Sequence, residues 1–170
     1  VGEGWCGALI CSGPVIVVAF QHLGADDVPL MDAMRAMFGA AFEDEGTYLG
    51  KPPSADEARA WLAGEGVIAV AAVEDGAVIG GLVAYVLPKF EQARSEIYLY
   101  DLAVDAAHRR RGVATALIRH LQAMAAERGA WVIFVQADQG DDAAIALYTR
   151  LGTREDVLHF DIPVAAGATI

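Results

Sequence analysis

Basic residues and cysteines are scarce in this chain. Its 170 residues hold 12 Lys and Arg against 23 Asp and Glu, a net charge of -11 at pH 7. Like charges repel, so nucleic acid and anionic membrane are poor partners and a cationic one fits better. Two cysteines occur, Cys6 and Cys11, with no Cys or His group at zinc-site spacing downstream. They read as reduced apolar residues of a cytoplasmic protein, and no metal site is expected. Also missing are a G-x-x-x-x-G-K-[ST] loop and a G-x-G-x-x-G run near a strand end, which argues against a nucleoside triphosphate or a dinucleotide. There is no internal repeat and no low-complexity tract. The first twenty residues are apolar, but they lack a basic leading region and are broken by Gly13 and Pro14, so a signal peptide or membrane span fits poorly.

What the chain does have is a 55% apolar content, ample for one core. Residues 1–14 are expected to form a loose leader and residues 15–170 a single domain. A β-branched run over 15–20 predicts a strand. Asp26 and Asp27 can then cap a helix carrying Leu30, Met31, Met34, Met37 and Phe38. The acidic stretch after it, with Pro52 and Pro53, predicts a surface loop, and Ser54 with Glu57 makes a capping box for a short helix. Asp75-Gly76 lies between two apolar runs and predicts a tight hairpin. A strand over 97–104, a helix over 113–128 with Val113, Leu117, Leu121 and Met124 on one face, and a strand over 131–138 make one βαβ unit with parallel strands. Asp141 or Asp142 opens another helix, closed by Gly152, and residues 157–162 predict a last strand. The class is a mixed α/β sheet covered by helices.

Between that strand and helix stands "DAAHRRRGVA", with three of the twelve basic residues side by side. A helix N-terminus presents unpaired N–H groups and partial positive charge, and a glycine there admits an anion closely. Guanidinium groups complete a phosphate cradle. A solvated basic turn is the ordinary alternative, against which the position between an apolar strand and an amphipathic helix weighs.

"RRRGVA", Arg109 to Ala114, is similar to the R/Q-x-x-G-x-G/A signature of the GNAT superfamily of N-acetyltransferases, with Ala114 at the last position. "YDLAV" before it and "DDAAIALYTRLG" after it match the superfamily's arrangement. More narrowly, residues 67 to 162 resemble the aminoglycoside 3-N-acetyltransferases. The resemblance implies a mostly antiparallel sheet whose parallel strands 4 and 5 splay around acetyl-CoA, with helices on both faces. It implies that Leu102, Ala103 and Val104 offer backbone groups to the cosubstrate, and that Arg109, Arg110, Arg111, Gly112, Val113, Ala114 and Thr115 hold its phosphates.

Acetyl transfer needs an amine freed of its proton, a polarised thioester carbonyl and a protonated leaving thiolate. Asp101, in an otherwise apolar strand, is the candidate base. Strand alternation places it with Ile97, Leu99 and Ala103, and a carboxylate hydrogen-bonded to backbone or a tyrosine is the simple alternative. Tyr148 in "ALYTRLG" could be a core tyrosine; the resemblance implies a general acid at the CoA sulfur. Glu96, Tyr100, Asp101, Asp138 and Asp142 are candidate contacts for a small cationic aminoglycoside, with Glu43, Asp44, Glu45 and Asp141 as further carboxylates and Tyr98 as a further ring. Each has an ordinary explanation as a cap, a solvated charge or a cross-strand pair.

The expectation is a cytoplasmic, acetyl-CoA-dependent enzyme that acetylates the 3-amino group of aminoglycosides in a ternary complex, because no Cys near the motif could carry the acyl group. A homodimer is compatible with it. The rivals are the same fold acting on a polyamine or protein amine, and a catalytically silent acetyl-CoA-binding module.

Overall fold

The computed structural model describes residues 17–164. The expected leader over 1–14 lies outside the described residues. The described residues divide into two units, 17–136 and 137–164.

In the first unit a five-stranded sheet runs in sequence order: β1 (Ala19–His22), β2 (Val67–Glu74), β3 (Ala77–Pro88), β4 (Ser95–Val104) and β5 (Ala130–Val135). The first four pair antiparallel with one another, while β4 and β5 are parallel, as the βαβ reading requires. Asp75 and Gly76 both take positive φ, 50° and 80°, and close the β2–β3 hairpin tightly.

The α-helices of this unit among the described residues are α1 (Val28–Ala41), α2 (Glu45–Leu49), α3 (Ala55–Leu62) and α4 (Val113–Glu127). Two adjacent glycines of β3 show how they divide between the faces. A Cβ on Gly81 would stand 2.4 Å from Met34 Sδ of α1, and one on Gly80 would meet Val113 of α4 at 3.2 Å. Successive strand residues point to opposite faces, so α1 and α4 cover opposite sides of the sheet at close approach. On the α1 side Met31, Met34, Phe38, Ala58 and Leu62 pack against Ala69, Ala71, Val83 and Ala103. Helix α4 buries Val113, Leu117, Ile118, Leu121 and Ala125. Each fully buried leucine contributes about 1.5–3 kcal/mol of transfer free energy.

Local signals hold in part. Ser54 and Glu57 form the reciprocal capping box at α3, and Gly129 at φ 65° ends α4. Asp27 is the N-cap of α1, yet its carboxylate turns backward, accepting from Gly24 N and from Gln21 Nε2 at 2.8 Å each. The acidic stretch is not simply loop: Asp44 caps α2 by accepting from Thr47 N at 3.1 Å. A five-residue helix is too short to show a hydrophobic period, which is why periodicity passes over it.

In the second unit α5 (Asp142–Thr149) is capped by Asp141, which accepts from Ala144 N at 2.9 Å. The expected strand over 157–162 does not form. Leu158, Phe160 and Ile162 alternate with His159 and Asp161 as in a strand, but a strand exists only through a paired neighbouring strand, and no ladder includes this segment among the described residues.

Candidate active site

The β3–β4 register shifts between Val83 and Ala84. Val83 faces Asp101 and Ala84 faces Leu99, so Tyr100 is the extra residue of a β-bulge. The bulge changes which side Asp101 occupies. Cross-strand partners share a face, and Val83 belongs to the α1-side core. Asp101 therefore points to the α1 side, while Leu99 follows Ala84 to the other. Simple alternation had grouped Asp101 with Ile97 and Leu99; one inserted residue reverses the phase.

On its new side Asp101 lines a cleft with Met31, Met34, Arg35, Phe38, Tyr48, Lys51, Trp61 and Tyr85. The Tyr48 hydroxyl donates to Asp101 Oδ1 at 2.6 Å. Tyr48 is held in turn by aromatic contacts to Phe38 and Phe42, with ring centroids 5.8 and 5.6 Å away, and its carbonyl accepts from Arg35 Nη2 at 2.6 Å. Burial pushes the Asp101 carboxyl above its ordinary value, and the Tyr48 hydrogen bond works against that rise by favouring the charged form. The same burial, with the Asp101 hydrogen bond and charge, pushes the Tyr48 phenol far up, so it stays a donor. Such a carboxylate is poised as a proton acceptor.

Aromatic faces surround it. Trp61 meets Tyr85 edge-on at 6.4 Å, and Tyr85 meets Tyr100 edge-on at 5.6 Å. Tyr100, at the bulge, is 60% exposed. A cation entering here meets ring faces and a single carboxylate among the described lining residues, Asp101. Arg35, also in the lining, is paired with Asp32 at 3.1 Å. Tyr98 stacks on Phe134 at 4.9 Å and donates to Gln136 Oε1 at 2.6 Å, as a cross-strand pair does.

Pairing of β4 with β5 runs from Ser95 to Leu99 and stops. Beyond it Leu102, Ala103 and Val104 stay paired with β3, and no strand pairs with their opposite edge among the described residues. β5 ends at Val135, opposite Leu99, so β4 runs on past its parallel neighbour where the acetyl-CoA reading needs an edge. Just past it, the guanidinium Nε of Arg109 donates to Val104 O at 3.1 Å and ties the next loop to the strand. Arg110 and Gly112 are both left-handed, at φ 64° and 83°, and Gly112 is the N-cap of α4. That helix has no side-chain cap and no acidic residue in its first turn, and Ala116 N donates across the turn to Gly112 O at 3.0 Å. The amides of Val113, Ala114 and Thr115 therefore point outward without intrahelical acceptors, as an anion site requires. The residues fit the phosphates of an acetyl-CoA.

The other candidate residues stand elsewhere. Glu96 is half-buried and paired with Lys89 at 3.5 Å and Arg94 at 3.8 Å, so its charge is already balanced. Asp44 serves as a cap, and hydrogen bonds from Thr47 hold its carboxyl low. In the second unit Asp138 and Asp142 are exposed, and Asp142 is the first residue of α5. Tyr148 on α5 is half-buried, its phenol pushed up to about 12 by burial and by the Asp141 charge. Tyr48 is the residue that sequence reasoning missed. The Asp44-x-x-Thr47 cap signal marks its helix, but nothing local points it at a strand residue 53 positions away.

Among the described residues no helix is long and apolar enough to cross a membrane.

Known proteins resemble the chain at two levels. Residues 30–153 match the acetyltransferase (GNAT) family. An aminoglycoside acetyltransferase from an uncultured soil metagenomic sample is 54% identical, with a TM-score of 0.86 over 88% of this chain and 99% of that one. A second such enzyme, solved in complex with sisomicin, is 27% identical with a TM-score of 0.80 over 87% and 97%. Among curated proteins, a probable N-acetyltransferase family 8 member 5 of Mus musculus is 26% identical over 79% of this chain, and the Escherichia coli K12 [ribosomal protein bS18]-alanine N-acetyltransferase is 37% identical over 35%. The matches span 59% and 40% of those two relatives' lengths. A family match over residues 30–153, a parallel β4–β5 pair and an α4 without a side-chain cap behind the arginine loop agree: this chain belongs to the GNAT acetyltransferase family.

Proposed function

We propose that this protein is an acetyl-CoA-dependent N-acetyltransferase that modifies the 3-amino group of aminoglycoside antibiotics by direct transfer in a ternary complex. The observation that carries the reading is Asp101, held by Tyr48 in an aromatic cleft, on the stretch of β4 that runs past its pairing with β5. The likeness to two aminoglycoside acetyltransferases supplies the substrate class.

Acetyl-CoA supplies the acetyl group as a thioester, with its phosphates on the amides from Arg109 to Thr115 and its amide arm along Leu102, Ala103 and Val104. The acceptor arrives as an ammonium, drawn by the Asp101 charge and the ring faces of Tyr48, Trp61 and Tyr85. Asp101 takes one proton and leaves a free amine to attack the carbonyl carbon. As the C–N bond forms and the C–S bond breaks, the nitrogen loses its second proton to sulfur, so one proton is released per turnover. Tyr148 serves the sulfur as a hydrogen-bond donor. A phenol at about 12 holds its proton against a thiolate whose own acid has a pKa of about 8.5, so donation of a hydrogen bond suits it better than loss of the proton. Asp138, Asp142 and Tyr100 are proposed contacts for the outer rings of the sugar, and Glu96 a more distant charge. The setting is the cytoplasm, and the consequence is resistance, since an acetylated amine has lost a charge used against ribosomal RNA.

A panel of acceptors tests this reading: aminoglycosides, spermidine and peptides with N-terminal alanine, followed by thiol release. Turnover on aminoglycosides supports it. Turnover confined to polyamines or peptides assigns the site to another cationic amine, and CoA binding without turnover on any acceptor leaves a silent binding module.

A further inference from the structure

The three arginines before α4 do three different things. Arg109 bonds the Val104 carbonyl. Arg110 has no hydrogen bond or ion pair among the described residues. Arg111 meets Glu74, the last residue of β2, with both outer nitrogens: Nη1 donates to Oε2 at 3.0 Å and Nη2 donates to Oε1. Glu74 is 8% exposed, the buried charged side chain among the described residues. His108 Nε2 lies 3.5 Å from the same Oε2, and its Nδ1 lies 2.7 Å from Asp105 Oδ1, which also accepts from Ala107 N at 3.0 Å. Two points of the 105–111 loop are thus tied to one carboxylate at the β2–β3 hairpin.

A charge is buried at a cost unless it is well paired, and a planar guanidinium gripped at both outer nitrogens has little freedom left. Arg111 lies between the two left-handed residues, Arg110 and Gly112, whose conformations set where the amides ahead of α4 point. We propose that Glu74 is a positioning residue for the anion loop. Through Arg111 and His108 it fixes those amides in phosphate-binding shape, Arg111 serves as a brace, and Arg110 is the arginine left to meet a phosphate. The inference rests on the reading of this loop as the acetyl-CoA phosphate site.

Calorimetric titration of CoA, and of pantetheine, which lacks the phosphates, onto the wild type, Glu74→Gln, Arg111→Lys and the double variant tests it. Glu74→Gln and Arg111→Lys are each expected to weaken CoA about tenfold, with pantetheine affinity within about twofold, and the double variant no weaker than the worse single. Losses that multiply in the double variant would show Arg111 binding phosphate independently of Glu74 and overturn the brace. Unchanged CoA affinity in Glu74→Gln, or an equal loss of pantetheine, overturns it as well. A wild type that binds CoA no better than pantetheine overturns the phosphate-site reading and the inference with it. Should Glu74→Gln not fold, Glu74→Asp keeps the charge, shortens the reach and is expected to weaken CoA selectively; unchanged CoA affinity there counts against the brace.

Discussion

The Tyr48 hydroxyl donates to Asp101 Oδ1 across 2.6 Å, joining a five-residue helix to a strand bulge 53 positions away. The bond favours the charged carboxylate, while burial disfavours it more strongly. Asp101 must be charged to accept a proton, so the acid limb of kcat/KM should lie above the usual carboxylate range. Removing the donor by Tyr48→Phe takes away the opposing effect, and the limb should move to higher pH. A pH–rate profile of the two proteins checks this; a limb that stays put or moves down detaches Tyr48 from the base.

Asp101→Asn keeps the shape and removes the base. A loss in kcat of roughly 100-fold or more is expected, the usual scale for a general base. The stability sign is opposite. A carboxyl whose folded pKa is raised above its unfolded value costs stability at pH above that unfolded value, and the cost fades as pH falls through the folded one. The Asn variant should therefore melt at the same temperature as the wild type or slightly higher at pH 7, with the difference shrinking in acid. Thermal melts at two pH values show the pattern, and a variant that melts lower at pH 7 contradicts it.

Gly112 stands at φ 83°, where an L side chain is strained by roughly 1–2 kcal/mol. Nothing lies within 4 Å of a Cβ placed there, so backbone conformation alone resists substitution. Gly112→Ala is expected to bind CoA roughly 5–30-fold more weakly, the factor that strain corresponds to. Calorimetry measures it directly, and unchanged affinity means the loop tolerates another shape.

How far the chain could be read in advance depended on the range of each signal. Asp75-Gly76, Ser54 with Glu57 and Gly129 act over a few residues, and all hold in the structure. The parallel β4–β5 pair followed from a strand, helix, strand order that leaves one chain direction open. The face of Asp101 was not legible, because a bulge is set by pairing with β3 and alternation cannot register it. Tyr48 was hidden for a related reason: α2 is too short for a period, and its partner is distant in sequence. Glu74 carries no local signal, and only the fold brings it to Arg111. At 157–162 alternation was present, but no strand ladder includes the segment among the described residues.

Tyr148 offers a check on how the sulfur leaves. Its phenol, pushed up to about 12, should donate a hydrogen bond throughout the working range. Tyr148→Phe is expected to lower kcat by about 10–100-fold, with the alkaline limb of the wild-type profile unchanged. Stopped-flow and pH–rate data decide it; a limb that disappears with the hydroxyl would make Tyr148 a true proton donor.

The most direct test of the central claim uses the purified protein with acetyl-CoA and gentamicin, with thiol release followed and the product's acetylation site located by NMR. The account predicts stoichiometric release of one thiol per drug molecule and an acetyl group on the 3-amino nitrogen. No release with gentamicin or sisomicin, from a protein that binds CoA, would contradict it.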